Sequence, residues 1–179
     1  MPYAFEHLVI SWGFGKLIEL KKKIKLDKWS WFFLLFGALF PDFDYLIDWA
    51  FGTHIHRSFS HSLLGLILGF IVCFIFINSI NLKLRKKLNP ILISGFFSLG
   101  ILTHLLADMA FGWPGVAFFW PLTTRFWMFG YGAADYVTLH LSELSKERIV
   151  HLMKFALIDM AVGIIWIGYL FFKGKIKEF

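Results

Sequence analysis

Cysteine is almost absent: Cys73 is the only one in 179 residues, and it lies inside an apolar run. A disulfide within the chain and a thiolate metal site are both excluded, so cysteine usage carries no compartment signal. Charge is scarce as well. Charged residues make up 17% of the chain against 58% hydrophobic and 20% aromatic, and the mean hydropathy is +0.68. That apolar share lies well above that of a soluble domain. At a length sufficient for one domain, it indicates a small integral membrane protein. The opening MPYAFEHLVI lacks the basic start and short apolar core of a cleaved signal. Internal repeats and low-complexity linkers are missing too, so residues 1–179 read as a single integral membrane domain.

What is present is a set of long apolar runs. Ser62 to Ile80 holds 19 residues without a charge, and about 20 such residues cross a hydrocarbon core as a helix. Pro90 to Trp113 is a second span, broken only by His104 and Asp108. A third runs from about His151 to Phe172 and carries Lys154 and Asp159. Trp29 to Phe51 is a fourth, interrupted by Pro41 and by carboxylates. Residues 3–20 are apolar but carry Glu6, His7, Lys16 and Glu19, which suits either a fifth, tighter span or an interfacial helix. The fold class expected is therefore all-α, a polytopic helical bundle of four to five spans. Residues 114–133 are rich in Gly, Pro and aromatics and read as a loop or re-entrant segment at the membrane surface. Residues 135–150 suit a short surface helix.

The net charge is +6, and the basic residues come in clusters beside apolar runs. That pattern fits an anionic lipid face better than a nucleic-acid groove. Lys16, Lys21, Lys22, Lys23, Lys25 and Lys28 form one cluster; Lys83, Arg85, Lys86 and Lys87 a second; Lys173, Lys175 and Lys177 a third. Threading the spans puts these 13 of the 18 basic residues on one side. Arg57, Arg125, Lys146, Arg148 and Lys154 fall toward the other. The positive-inside rule makes the clusters cytoplasmic and the opposite end of the bundle outward-facing.

The same threading gathers polar groups at the outer end. Asp42 and Asp44 come from the fourth-listed span, in the stretch GALFPDFDYLIDW. His54, His56, Arg57 and His61 come from the loop after it, His104 and Asp108 from Pro90–Trp113, and His7 from the first segment if that crosses. Five of the seven histidines thus meet three or four aspartates. His104 and Asp108, at i and i+4, share one helix face. Asp42 and Asp44, at i and i+2, would diverge on a regular helix, but Pro41 breaks it there and lets both turn inward. Imidazole with carboxylate suits Zn²⁺, Mn²⁺ or Fe²⁺. More than four candidate ligands and no thiolate favour a catalytic site of one to three ions over a closed structural zinc site. Carboxylates deep in a membrane cost about 2.5–3.5 kcal/mol each on insertion scales, and a cation removes most of that.

Other polar residues read more plainly. Asp48 suits solvation or capping at the interface, and Ser60 and Ser62 suit helix N-caps. Asp159 suits pairing with another helix or a kink, and His140 and His151 read as surface residues. His54 is ambiguous beside His56. Arg57 suits either an ion pair with an Asp or stabilisation of an anionic transition state.

His7, then GALFPDFD (Gly37 to Asp44), HRSFSHS (His56 to Ser62), THLLAD (Thr103 to Asp108) and GWPGV…WP up to Pro121 occur in an order that resembles the LexA-binding, inner-membrane-associated hydrolase family, also described as membrane-bound metal-dependent hydrolases. The resemblance covers roughly residues 1–125. The family pattern is usually H-R-G-x-T-H-S, so Ser58 and Ser60 depart from it while both histidines stay. A more remote likeness is to the zinc-dependent phospholipase C and single-strand nuclease group. The resemblance implies a metal-dependent hydrolase, and the remote likeness a phosphoester substrate, lipid-linked rather than nucleic acid. On this reading His7, Asp42, Asp44, His56, His61, His104 and Asp108 hold a divalent metal, Zn foremost. Asp42 or Asp44 takes the proton, Arg57 neutralises developing charge, and the loop 113–131 covers the site. The competing expectation is a non-enzymatic membrane protein with a structural or transported metal ion. Membrane lipid is the expected partner in either case.

Overall fold

The computed structural model describes residues 3–53, 55–84, 88–112, 115–129, 132–134 and 146–178. Six helices dominate it: α1 (Ala4–Lys22), α2 (Lys28–Leu39), α3 (Asp44–Phe51), α4 (Leu63–Leu84), α5 (Pro90–Phe111) and α6 (Lys146–Phe172). The all-α bundle expected from the sequence is what forms. Among the described residues, four stretches are long and apolar enough to cross a membrane: Lys28–Phe51, Leu63–Lys83, Pro90–Phe111 and Met153–Phe172. His54, Arg85, Lys86, Lys87, Trp113, Pro114 and residues 135–145, His140 among them, lie outside the described residues, as do the side chains of Lys146, Arg148, His151 and Lys177.

Local signals set the helix boundaries. Asp27 is the N-cap of α2 and accepts the N–H groups of Trp29 (2.8 Å) and Ser30 (2.9 Å). Asn89 caps α5 by accepting from Leu92, with Pro90 at the first helical position. Ser62 caps α4, its Oγ accepting the N–H of Gly65 at 3.0 Å, as expected. Ser60 does not cap; its hydroxyl donates to the carboxylate of Asp44 instead. The α2 helix ends where Pro41 cannot donate an N–H. The chain tightens into a 3₁₀ turn over Phe40–Phe43 and resumes as α3.

α2 and α5 form the centre of the bundle. They cross at Gly37 and Gly100, where a Cβ on either residue would collide with the partner's backbone, at Phe97 O or Leu34 O respectively. Inside a membrane, lipid is as apolar as leucine, so helices associate by close van der Waals packing, and small residues permit it. Around this crossing sit Trp31 and Leu34 on one side and Phe33, Cys73, Ile77, Phe97 and Ile101 on the other, all buried. α4 and α6 are mostly exposed along their lengths, with Ile75, Ile164 and Ile165 bare, as lipid-facing helices should be.

α1, expected as either a fifth span or an interfacial helix, is not among these four stretches. It does not lie apart from the bundle but packs along it. Gly15 lies against Trp31 and Leu34 of α2, and Trp12 meets Trp166 and Tyr169 of α6 edge-on. Its first turn has no cap of its own. The buried Asp159 of α6 supplies one, accepting N–H from Phe5 (3.3 Å) and Glu6 (2.7 Å). Asp159 is thus a pairing residue between helices, one of the two roles expected of it.

Two expectations need correction. Residues 146–150 are the first turn of α6, not part of a separate surface helix; Lys146, Glu147 and Arg148 are good helix formers and no Gly or Pro parts them from the span. The segment expected as a loop over 114–133 contains a strand pair. Phe126–Met128 (β1) runs antiparallel to Gly132–Ala134 (β2), and Val116 exchanges backbone bonds of 3.1 and 2.8 Å with Trp127. Aromatic side chains favour the extended chain there. The segment is tied down on the bundle through Phe129 N–H to Met109 O and Leu63 N–H to Phe118 O, both 2.8 Å.

Candidate metal centre

All seven candidate ligands come together. Every one except Asp42 and His56 is nearly sealed: His7, His61, His104, Asp44 and Asp108 are buried, while the Asp42 side chain is 32% exposed and marks the opening. Three of the four histidines, His56, His61 and His104, are oriented by what their outer nitrogens touch. His104 Nδ1 lies 2.7 Å from the carbonyl oxygen of Ala38. A carbonyl can only accept, so that nitrogen carries the proton and Nε2 offers its lone pair. The Ala38 carbonyl lies in the turn that precedes Pro41, which has no N–H to give back.

Asp44 does the same for two rings. Its Oδ1 lies 2.7 Å from His56 Nδ1. Its Oδ2 takes the Ser60 hydroxyl and lies 3.3 Å from His61 Nδ1, which is also 3.0 Å from Ser60 Oγ. His56 and His61 therefore also turn Nε2 inward. Asp48 fixes the approach to this pair: it accepts from Thr53 Oγ1 (2.6 Å), Ile55 N (2.9 Å) and His56 N (3.0 Å). That is the capping role expected of it. Tyr45 stacks on His56 at 3.6 Å between ring centroids, and His7 stacks on His104 at 3.8 Å.

The inward atoms crowd around one position. His61 Nε2 and His104 Nε2 are 3.1 Å apart. Asp42 Oδ1 lies 3.4 Å from the first and 3.5 Å from the second. Asp108 Oδ2 lies 3.6 and 3.7 Å from the same two atoms. Bonds of about 2.0–2.2 Å in a tetrahedral ion separate its ligand atoms by roughly 3.3–3.6 Å. Each carboxylate therefore completes, with the two imidazoles, a triangle the size of one face of such a tetrahedron. Three groups have ligand atoms within 4.8 Å of one another: His7, Asp42 and His104; Asp42, His56 and His61; and His61, His104 and Asp108. Two inward or adjacent nitrogens, His56 Nε2 and His7 Nδ1, are buried with no hydrogen-bond partner among the described residues. Orphaned buried nitrogens are uncommon, and they fit a cation that the chain itself does not supply.

Arg57 has a different setting. It is buried, adopts a left-handed backbone (φ 67°), and donates to Gly112 O (3.0 Å), Gly115 O (2.9 Å) and Asp108 Oδ1 (3.3 Å). It locks the end of α5 to the following loop and holds Asp108 in line. A positive φ on a residue with a Cβ costs on the order of 1–3 kcal/mol and persists where the surroundings enforce it. Nothing in the sequence signals Ala38, Tyr45 or the tie between Ser60 and Asp44, because each acts through a tertiary contact.

The fold and this cluster together define a multi-pass helical membrane protein with a buried histidine–aspartate centre. The chain belongs to the YdjM inner membrane protein family, whose model matches residues 1–176. That agrees with the inner-membrane family expected from the sequence and extends past residue 125 through the last helix; the family description speaks of the inner membrane, not of hydrolysis or LexA. Neither a curated protein nor a solved structure matches the chain.

Proposed function

We propose that this protein is a metal-dependent hydrolase of phosphoesters, with its centre toward the outer face of the membrane. The observation that carries the reading is the common orientation of His56, His61 and His104: each Nδ1 is held by an acceptor, the Nε2 atoms of His61 and His104 are turned toward Asp42 and Asp108, and His56 shares a ligand group with Asp42 and His61. Second-sphere acceptors of this kind orient metal-binding imidazoles in known metal sites. His7, Asp42, His56, His61, His104 and Asp108 would hold the ions, zinc foremost, with Asp44 orienting two of the rings. Asp42, His61 and His104 each belong to two of the groups; of the three, only the carboxylate has a second ligand oxygen, so Asp42 is the residue that could serve two ions. A divalent ion supplies water of lowered pKa, about 7, and polarises a phosphoryl oxygen. Asp42, at the opening, would stand where incoming water meets the ions. Arg57 acts through Asp108 and the α5 end, its guanidinium being committed to them.

A second reading, a metal clip with no turnover, has one observation in its favour: apart from Asp42 the centre is almost closed. Elemental analysis of the purified wild type beside His61→Ala and His104→Ala, followed by turnover of p-nitrophenyl phosphate and bis-p-nitrophenyl phosphate, tests both. The expected result is bound zinc and turnover in the wild type, with both lost in the variants. Wild-type metal content in both variants would remove the metal reading. Metal lost from the variants, with no ester turned over by the loaded wild type, would leave the clip.

A further inference from the structure

Beside the centre, a groove of about 320 Å³ runs between α2, α4 and α5, within the size range of small-molecule sites, about 300–1,000 Å³. Its top is formed by Phe40, Phe59 and Ser60. Phe40 is two residues from Asp42, and Ser60 is the hydroxyl that donates to Asp44, so the groove begins where the polar centre ends. Below Ser60 its side-chain wall is apolar, carbon apart from the Cys73 sulfur. Phe33, Phe36 and Phe40 tilt onto Phe97 with ring centroids 6.4, 5.8 and 5.1 Å apart. Along α4 it extends from Gly65 to Phe76. The eleven steps between them rise about 16 Å at about 1.5 Å each, close to half of a hydrocarbon core of about 30 Å. Val72 and Phe76, at its far end, are exposed on the outer surface of the bundle, so it opens sideways.

The geometry points to a binding site for one hydrocarbon chain of a membrane amphiphile, lying in a single leaflet with its headgroup at the histidine–aspartate centre. The headgroup end rests on the hydrolase reading; the chain end does not. The depth matches one leaflet, the lining offers nothing to a polar ligand, and the sideways mouth lets a chain enter from the bilayer. The substrate class this selects is an amphiphile with a phosphoester head and a long tail. A small soluble phosphoester would reach the centre but leave the groove to bulk lipid.

The probe is hexadecyl phosphate with a mid-chain diazirine, photolysed in phosphatidylcholine nanodiscs that contain the metal-loaded protein. Labelled residues are mapped by peptide mass spectrometry. Labelling is expected to concentrate in residues 33–40 and 69–76. Val72→Trp, which fills the groove from an exposed position, is expected to cut it by about tenfold or more, the low end of what a mis-sized apolar pocket costs. Ile165→Trp, on the bare face of α6, should leave it unchanged, and Val72→Phe replaces the tryptophan variant if that fails to fold. Labelling spread evenly over the lipid-facing helices, or unaltered by filling the groove, overturns the proposal. Turnover separates it from the hydrolase reading. Val72→Trp should depress hydrolysis of the long-chain ester and spare p-nitrophenyl phosphate; equal rates on the long-chain ester in wild type and variant refute the groove while the hydrolase stands. Groove labelling that Val72→Trp removes, in a protein that turns over neither ester, sustains the groove while the hydrolase reading falls.

Discussion

Asp44→Asn tests the orientation argument most directly, because Asp44 meets the centre only through the outer nitrogens of two rings. The carboxylate accepts from His56 Nδ1 at 2.7 Å, from the Ser60 hydroxyl, and from the His61 side at 3.3 Å. An amide keeps one acceptor oxygen and replaces the other with an NH₂ donor. One of the two imidazoles must then turn away or move its proton from Nδ1 to Nε2, which points an N–H at the centre instead of a lone pair. Loss of a single outer partner weakens metal binding about 10–100-fold. Two rings share Asp44, so the upper end is expected, about 2.8 kcal/mol at about 1.4 kcal/mol per decade. The assay is a zinc competition titration against a chromogenic chelator, run on the wild type, Asp44→Asn and His61→Ala. Asp44→Asn should fall between the other two. Zinc affinity within about threefold of wild type in a folded Asp44→Asn protein would refute the idea that second-sphere acceptors set these rings, against the 10–100-fold norm.

Three further outcomes follow from the same contacts. His61 lies between α3 and α4, outside the spans; burial disfavours its charged form, but hydrogen bonds to Asp42 and Asp44 and the charge of Asp108 prevail and push its pKa up to about 9. That lies above the free value of about 6.5, so the proton stabilises the metal-free fold below that pH and its contribution is lost as pH rises through about 9. The melting temperature of the metal-free protein should drop across this window; a flat profile would show a ring already neutral. Asp159→Ala removes the acceptor for the first N–H groups of α1 and should cost about 0.5–2 kcal/mol, as for a lost cap, with faster hydrogen exchange at the amides of Phe5 and Glu6. Unchanged exchange there would mean the cap is idle. Gly37→Ala forces the α2–α5 crossing apart and should cost about 1–3 kcal/mol, the usual range for overpacking, and lower zinc content by drawing Ala38 away from His104. Gly95→Ala, where a Cβ meets nothing within 4 Å, is the matched control for thermal unfolding and metal analysis.

The parts of this structure that were legible in the sequence are those set by local physics. Uncharged length marked the spans, Pro41 marked the break that turns Asp42 and Asp44 inward, and the i, i+4 spacing put His104 and Asp108 on one face. The parts that were not legible depend on which helices touch. Ser60 looked like a cap because it precedes a helix, yet the cap is Ser62 and Ser60 serves Asp44. The Ala38 carbonyl carries no side-chain signal at all; only the close approach that Gly37 and Gly100 permit brings His104 to it. The short strand pair was missed for a similar reason: three residues per strand are too few for a period to register, and the pairing is held by the bundle beneath it.

The charge balance of the buried centre gives a separate argument for a cation, independent of ligand spacing. Among the described residues, Asp108 pairs with the guanidinium of Arg57, while Asp42 and Asp44 lie against imidazoles. With the imidazoles neutral, three carboxylates against one arginine leave two negative charges in a nearly closed pocket of a membrane bundle. Uncompensated buried charge costs several kcal/mol per ion, and in the metal-free chain a proton on His61 relieves only half of the excess. One divalent cation neutralises it fully. A second, accommodated through the shared Asp42, would turn the pocket net positive by two charges, which a phosphate group cancels on binding. The same bookkeeping that makes the empty cluster expensive therefore makes a two-ion cluster selective for a phosphate-bearing ligand. An uncharged ester would leave the two-ion pocket with that excess uncancelled, so the proposed centre should hold inorganic phosphate as an inhibitor and ignore acetate esters of the same chain length.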